Sequence, residues 1–480
     1  MKNKGRGFTL VELLAVIVIL AIILVIAVPK ITDTIKNSKK ASFESSAKTI
    51  AAQAEKKKME KEILEDTGSI SCSDIVKLND TDYGNCSITF DGNTAKVSLV
   101  GKGKFEGLSV INGTKDNATA GDVKMPEYGK GTTYIKALYD NDILRTANEL
   151  KKDNTSDANI RYEGGNPNNY VSFNDELWRI IGVFGDNIKL VRTEELGKLS
   201  WDSSDNSING GYGVNEWSQA DLKEYLNTMY YGGTSVTCYG GYNNSITTCP
   251  GAAEVSFKNN NPKIMLLSET SGSSGSGTSG STGGTTTIKN LSNTAKTMIN
   301  NYTWNTGAIN PNDTTIFNQE TSALNTVPFY NAERGSVNGK ICTSGTDCND
   351  TVIRTTTWQG YVALPYVTDW AYASSETACA TNMFDGADFA NSNFDNMTCK
   401  KNNWMHHGST MDEAMWMLSP YARSDFAYVV WFVYGVGGVN VGDASNALSV
   451  FPSVYLNSDV KITSGSGSSS DPYILGVETK

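Results

Sequence analysis

With 480 residues, 51 acidic and 41 basic, the chain carries a formal charge of −10 and is long enough for two or three domains with sizeable cores. The acidic balance argues against a nucleic-acid partner and against an anionic membrane surface as ligand. Eight cysteines accompany only two histidines, the adjacent His406 and His407, and no cysteine pair has Cys-x-x-Cys spacing, so the sequence calls for no metal and no cofactor.

The chain opens on a basic leader. Residues 4–12 read Lys-Gly-Arg-Gly-Phe-Thr-Leu-Val-Glu, and an unbroken apolar run follows from Leu13 to Val28. A carboxylate at the front of a segment fit for a bilayer is costly, so Glu12 calls for a partner or a function. The arrangement resembles the class III leader of type IV prepilins and the related pseudopilins. That resemblance implies a leader over residues 1–7, peptidase cleavage between Gly7 and Phe8, and an N-methylated Phe8. It also implies a membrane segment over 8–28 with the N-terminus in the cytoplasm, which charge counting leaves open. Glu12 would then pair with the freed amine of Phe8 on a neighbouring subunit, and Pro29 falls where many pilins kink their helix. An ordinary secretory signal peptide cut near Val25-Ile26-Ala27, or a plain anchor, explains neither Glu12 nor the Gly7-Phe8 junction.

Past Pro29 the apolar residues Ile31, Ile35, Ala41, Phe43, Ala47, Ile50, Ala51 and Ala54 recur at steps of three and four. This predicts a spine helix over residues 8–66, ended by Thr67-Gly68. Lysines 30, 36, 39, 40 and 56–58, mixed with Glu55, Glu60, Glu62 and Glu65, read as its solvated face. Short alternating segments at Cys86–Phe90, Ala95–Val100 and Phe105–Ile111 predict a small β head over 67–112, followed by a polar linker over 113–133.

From about Tyr134 the sequence turns rich in Trp, Tyr, Gly, Asn and Ser. Leu177–Val183 and Ile188–Val191 predict a hairpin turned by Gly185-Asp186-Asn187, Asn215–Tyr230 a helix, and Lys263–Ser268 a strand. Residues 271–287, nearly all Ser, Gly and Thr, read as a flexible loop, and 464–470 is a similar tract. The eight cysteines form sequence-local pairs: Cys72 with Cys86, Cys238 with Cys249, Cys342 with Cys348, and Cys379 with Cys399. In an exported chain these suggest disulfides, although connectivity stays open.

Three pieces resemble the formylglycine-generating-enzyme type of C-type lectin fold: the Leu177–Gly182 strand, the helix from Trp217-Ser218 through Leu222 to Tyr225-Leu226-Asn227, and the closing Trp416–Pro420 to Phe451–Leu456. The resemblance implies a mixed α/β domain over 134–480 with a twisted antiparallel sheet and long loops. The fold class is therefore α+β, a pilin helix and small sheet followed by a C-type-lectin-like domain. Residues 421–450 lack Lys, Glu, Gln and Met and contain one tryptophan, Trp431. They alternate small and aliphatic residues with Tyr, Phe, Asn, Ser and Asp, a paratope-like composition. The segment also resembles the variable region of proteins diversified by retroelements. Expected ligand contacts are Tyr421, Asp425, Phe426, Tyr428, Phe432, Tyr434, Asn440, Asp443, Ser445 and Asn446. Trp416, Trp431, Pro452 and Tyr455 are expected scaffold.

No catalytic constellation stands out. His406 and His407 have no nucleophile motif beside them and read as packed or surface residues. Asp385, Asp388, Asn391, Asn393 and Asp395 lack EF-hand spacing and read as an acidic loop. The sequence thus predicts a non-enzymatic minor or tip pilin that carries an adhesin domain. It would be processed by prepilin peptidase, held in the cytoplasmic membrane before assembly with other pilins, and then shown at the cell surface to a protein or glycan ligand. A pseudopilin of a type II secretion or DNA-uptake machine is the alternative.

Overall fold

Helix α1 spans Leu10–Ile63, 54 residues. Phe43, Ala47, Ile50, Ala51 and Ala54, which share one face by their spacing, are at most 2% exposed. Against that face lies an antiparallel sheet in sequence order: β1 (Tyr83–Asp91), β2 (Thr94–Gly101), β3 (Leu108–Gly113) and β4 (Ala120–Asp122). The computed structural model describes residues 10–64, 70, 72–75, 82–202, 212–234, 236–239, 245–249, 290–310, 313–318, 323–337, 340–341, 355–384, 402–408, 413–422, 426–435 and 437–477. It divides into two compact units, Met1–Met59 with Cys72–Lys124, and Glu60–Ser71 with Met125–Lys480. Among the described residues no helix is long and apolar enough to cross a membrane, and nearly all side chains of the Leu13–Val28 run lie outside that set.

In the first unit the β1–β2 hairpin turns on Gly92-Asn93, with Asp91 opposite Thr94 and Gly92 at φ 57°. Only a residue that tolerates positive φ suits this two-residue turn. Val97, Leu99, Phe105, Val110 and Cys86 fill the space under α1, and Phe105 sits 5.3 Å from the Phe43 ring. Polar groups then fix the sheet to the helix. Glu44 Oε1 accepts the Ala120 amide at 2.8 Å, while buried Glu55 accepts the Ala95 amide at 3.2 Å and Lys115 Nζ at 2.8 Å. The Lys115 hydrogen bond leads in holding the Glu55 carboxyl below its usual range.

The stretch expected to be a linker, 113–133, is structured. β4 completes the head, Ala118 and Ala120 are buried in its core, and Lys36 and Lys40 reach Asp122. The strand was hidden because its partners, a helix carboxylate and two lysines, are remote in sequence. Gly129–Lys130 and the helix Gly131–Asp140 already belong to the second unit.

The second unit, together with the first, gives an α+β architecture. Its ten-stranded central sheet is organised by β5 (Glu176–Phe184) and β6 (Asn187–Arg192), a hairpin in which Phe184 faces Asn187 across Gly185-Asp186. The strand Ser453–Tyr455 adds to β6, and Tyr170–Phe173 adds to β5. Tyr473–Gly476 joins Tyr170–Phe173 in parallel, then Lys461–Ser464 and Gly129–Lys130 follow outward. The C-terminal strands thus close both sides of an early hairpin. The 464–470 tract is an ordered turn in which the Ser466 and Gly467 amides both donate to Asp471 O at 3.0 Å.

A five-stranded second sheet runs Lys198–Ser200, Ala447–Ser449, β7 (Met415–Pro420), β8 (Val429–Val433) and β9 (Val439–Asp443). Trp178, Trp217 and Trp416 are 0% exposed. Indoles also stitch strands together, Trp416 Nε1 donating to Leu199 O at 2.9 Å and Trp201 Nε1 to Met417 O at 3.2 Å. The expected helix at 215–230 is broken into the turn Trp217–Gln219, the helix Asp221–Glu224 and a widened π turn over Tyr225–Tyr231. The segments 263–268 and 271–287 lie outside the described residues.

Charge is buried at the centre of this unit. Asp369, on the helix Val367–Tyr372, receives Lys189 Nζ from β6 at 2.5 Å, Arg161 Nη1 at 2.7 Å and the Tyr366 amide at 3.0 Å. Arg161 Nε also donates to Asp153 at 2.7 Å. Burial alone would raise the Asp369 carboxyl, but Lys189 and Arg161 outweigh it and hold the group at about 2.

Asp369→Ala strands buried Lys189 and leaves Arg161 with Asp153 alone, and should cost about 3–5 kcal/mol in urea unfolding followed by tryptophan fluorescence. Asp186→Ala, on the exposed hairpin turn, should leave the midpoint in place. In the first unit Cys72 and Cys86 form a disulfide closing a loop of sequence separation 14. Replacing both by serine should lower the stability of the head by about 3 kcal/mol, seen as earlier protease cleavage within residues 72–124.

Candidate functional site

The sequence points to two candidate regions, and the structure treats them differently. At the N-terminus, Gly7 and Phe8 lie outside the described residues. Glu12 falls in the first turns of α1, and its side chain is likewise outside.

The 421–450 region is largely described, and it is no single displayed face. In the hairpin of β8 and β9, Val429 pairs with Asp443 and Trp431 with Val441, while Val430 pairs with Gly442 and Phe432 with Asn440. Side chains alternate along a strand, so Asp443 and Trp431 point to one side, Phe432 and Asn440 to the other. β8 is buried along its whole length rather than in alternation. Its aromatic residues fill both sides, Trp431 against Phe329 at 5.2 Å and Phe432 against Trp416 at 6.1 Å.

Burial therefore removes three expected contacts from display. Tyr421, Phe432 and Ser445 are 9%, 6% and 1% exposed and serve packing. Asp425 lies outside the described residues. Phe426, Tyr428, Tyr434, Asn440 and Asp443 are half-buried, and Asn446 is exposed. Tyr434 stays with the Phe432 side, where its ring meets Phe432 at 4.6 Å and its hydroxyl accepts Asn440 Nδ2 at 3.2 Å. The expected scaffold residues Trp416, Trp431, Pro452 and Tyr455 are all buried.

Phe426, Tyr428 and Asp443 form the second group, and the structure adds a residue the sequence reading missed. Tyr212, 41% exposed, stacks on Tyr428 with centroids 5.1 Å apart and planes 27° from parallel, and Phe426 lies 6.0 Å from Tyr428. Three chain segments meet here on hydrogen bonds. The Ser445 amide donates to Tyr212 O, the Ala444 amide to Tyr428 O, and the Asn215 amide to Ala427 O.

Two buried side chains brace the junction. Asn215 Nδ2 reaches Tyr421 O and Val429 O at 2.8 Å and Phe426 O at 3.3 Å. Asp202 accepts the Val214 amide at 2.6 Å and the Asp221 amide at 3.1 Å. The available sequence signal was Gly213. It has φ 84°, and a Cβ there would lie 2.3 Å from Asp202 O, so only glycine lets the Tyr212 loop come this close. Burial raises the Asp443 carboxyl, and burial together with Asp443 raises the Tyr428 hydroxyl.

The histidines are structural. His406 Nε2 lies 2.9 Å from Gly435 O, and the His407 ring stacks on Phe451 at 4.2 Å. Burial, with His406 nearby, pushes His407 down to about 3. Among the described residues no group of three or more His, Cys, Asp or Glu is placed to hold a metal ion. Cys379 is buried and disulfide-bonded. Cys238 and Cys249 lie on paired strands, and Cys342, Cys348, Cys399 and the 385–395 acidic segment lie outside the described residues.

Residues 2–28 match the family described as the prokaryotic N-terminal methylation motif. No curated protein and no solved structure matches the chain. The chain thus carries the N-terminal motif of a type IV pilin or pseudopilin, which implies cleavage by prepilin peptidase, a membrane-anchored precursor and assembly with other pilins.

Neutral His407 makes stability depend on pH. The unfolded ring takes up a proton below about 6.5, while the folded ring resists until about 3. Stability present above the unfolded value is therefore lost as pH falls through this window, by up to about 1.4 kcal/mol per pH unit. His407→Phe, which keeps the stacking ring, should flatten this part of the profile of melting temperature against pH.

Proposed function

We propose that this chain is a minor or tip subunit of a type IV pilus that displays its large second unit as an adhesin, without enzymatic activity. The observation that carries the reading is the methylation motif at residues 2–28, which runs into a 54-residue helix, Leu10–Ile63, with a four-stranded sheet against its C-terminal half. A helix of this length is a poor solution for a globular core but a good one for a fibre, where neighbouring subunits cover it. The second unit, far larger than the head, is then the cargo.

The aromatic surface built from Tyr212, Phe426 and Tyr428 supports display, because rigid aromatic side chains beside small polar groups suit recognition. A C-type-lectin-like identity of this unit is supported by the order of its Trp-containing strands and by the C-terminal strands closing on an early hairpin. Residues 421–450 would be the segment diversified by a retroelement. Buried Trp431 fits an unvaried scaffold position, and a neighbouring reverse-transcriptase gene with a near-copy of this segment would test it.

Mass spectrometry of the mature chain should find an N-terminus at methylated Phe8; an intact Met1, or a start at Val28, would end the pilin reading. Glu12→Ala should still insert into the membrane yet be depleted from fibres, because the apolar run survives while the charge pairing is lost. Immunogold labelling separates the two machines. Label along or at the end of long extracellular fibres supports display, and label confined to the envelope favours the pseudopilin.

A further inference from the structure

Asp443 ends β9 beside the Tyr212–Tyr428 stack, half-buried, and among the described residues no cationic side chain comes within ion-pair reach of its carboxylate. Other carboxylates of this unit do have such partners: Glu163 has Lys151 at 3.3 Å, Glu176 has Arg192 at 2.8 Å, and Asp369 has Lys189 and Arg161, while buried Asp202 is held by backbone amides. The Asp443 charge acts on the Tyr428 hydroxyl, and the Tyr428 ring stacks on Tyr212 with Phe426 6.0 Å away.

A carboxylate and aromatic faces together favour a cation, since the ring quadrupole and the anion attract the same charge. A neutral hydroxyl would leave the carboxylate charge uncompensated. Tyr212 is 41% exposed, and the surface is assembled from three braced backbone segments, which suits a side chain of another protein better than a small molecule needing enclosure. The net charge of −10 adds long-range attraction of the same sign.

On the reading that the second unit is displayed, we infer that the Tyr212–Tyr428–Asp443 surface docks a basic protein partner, with a lysine or arginine side chain laid over the tyrosine rings and paired with Asp443. The same chemistry already occurs inside this unit, where the Arg179 guanidinium lies 4.2 Å from the centre of the Tyr170 ring.

The test uses the full-length chain in detergent micelles and three probes: a synthetic lysine–serine peptide, the matching glutamate–serine peptide, and a neutral glucan oligosaccharide. The lysine peptide should bind and the glutamate peptide should not. Asp443→Asn and Tyr428→Ala should each weaken lysine-peptide binding about fivefold, while Tyr428→Phe, which keeps the ring, restores it. All variants should melt with the parent, because the bracing bonds run through backbone atoms, Asn215 and Asp202.

Asp186→Asn changes net charge equally at a remote exposed turn and should bind as the parent does. Equal weakening by Asp443→Asn and Asp186→Asn would reduce the effect to overall charge and overturn the inference. So would failure of the lysine peptide to bind, or glucan binding that is lost in Tyr428→Ala. A chain that labels fibres yet ignores the lysine peptide ends this inference and leaves display standing; a chain absent from fibres ends display whatever the peptides do.

Discussion

The large unit depends on one buried carboxylate. Asp369 gathers Lys189 from the central sheet, Arg161 from the neighbouring strand Ile160–Tyr162 and the amide of Tyr366 at the start of its own helix. Removing charges from water is expensive, so the arrangement is favourable only while every member is present. Aromatic rings close around it, with Tyr366 4.1 Å from Lys189 Nζ and Tyr372 4.8 Å from the Arg161 guanidinium. They exclude water and so strengthen the remaining attractions. A second buried carboxylate, Glu333, extends the network. It accepts from the Thr368 hydroxyl on the Asp369 helix and, at 2.9 Å, from the Ser419 hydroxyl on β7. Helices and both sheets are thereby set in one register by directional contacts, which apolar packing alone does not impose.

That fixed register decides what the surface shows. With β7 held from beneath, β8 is sandwiched between aromatic layers, and its own side chains are consumed by packing. Display falls to the turns at its ends. Turns carry exposed backbone polar groups, and here Asn215 and Asp202 satisfy them from inside, so the rings of Tyr212 and Tyr428 stand on a braced frame. A paratope-like composition is thus realised at a strand end and a distant loop, not along a strand.

The first unit uses the same device at smaller scale. Glu44 and Glu55 on α1 accept amides from the sheet, Ala120 in the edge strand β4 and Ala95 in β2, while small alanines let sheet and helix approach. The head thereby packs on the C-terminal half of the helix, through the face from Phe43 to Ala54.

Sequence alone determined what depends on near neighbours in the chain. The Gly7-Phe8-Glu12 motif is read linearly by a peptidase, the recurrence of apolar residues from Phe43 to Ala54 sets a helix face, and Gly92-Asn93 and Gly185-Asp186 make hairpins through backbone torsion. Tertiary structure decided the rest, because the deciding contacts join residues far apart. Asp369 meets Arg161 across 208 positions, and Ser200 holds the Ser445 carbonyl across 245. Composition named 421–450 as a display region but could not say that Phe432 and Tyr421 face inward, that Phe432 and Asp443 fall on opposite sides, or that Tyr212 joins from another loop. The hairpin register of β8 and β9 separates Phe432 from Asp443, while the inward packing of Phe432 on Trp416 and the stacking of Tyr212 on Tyr428 join residues far apart in the chain.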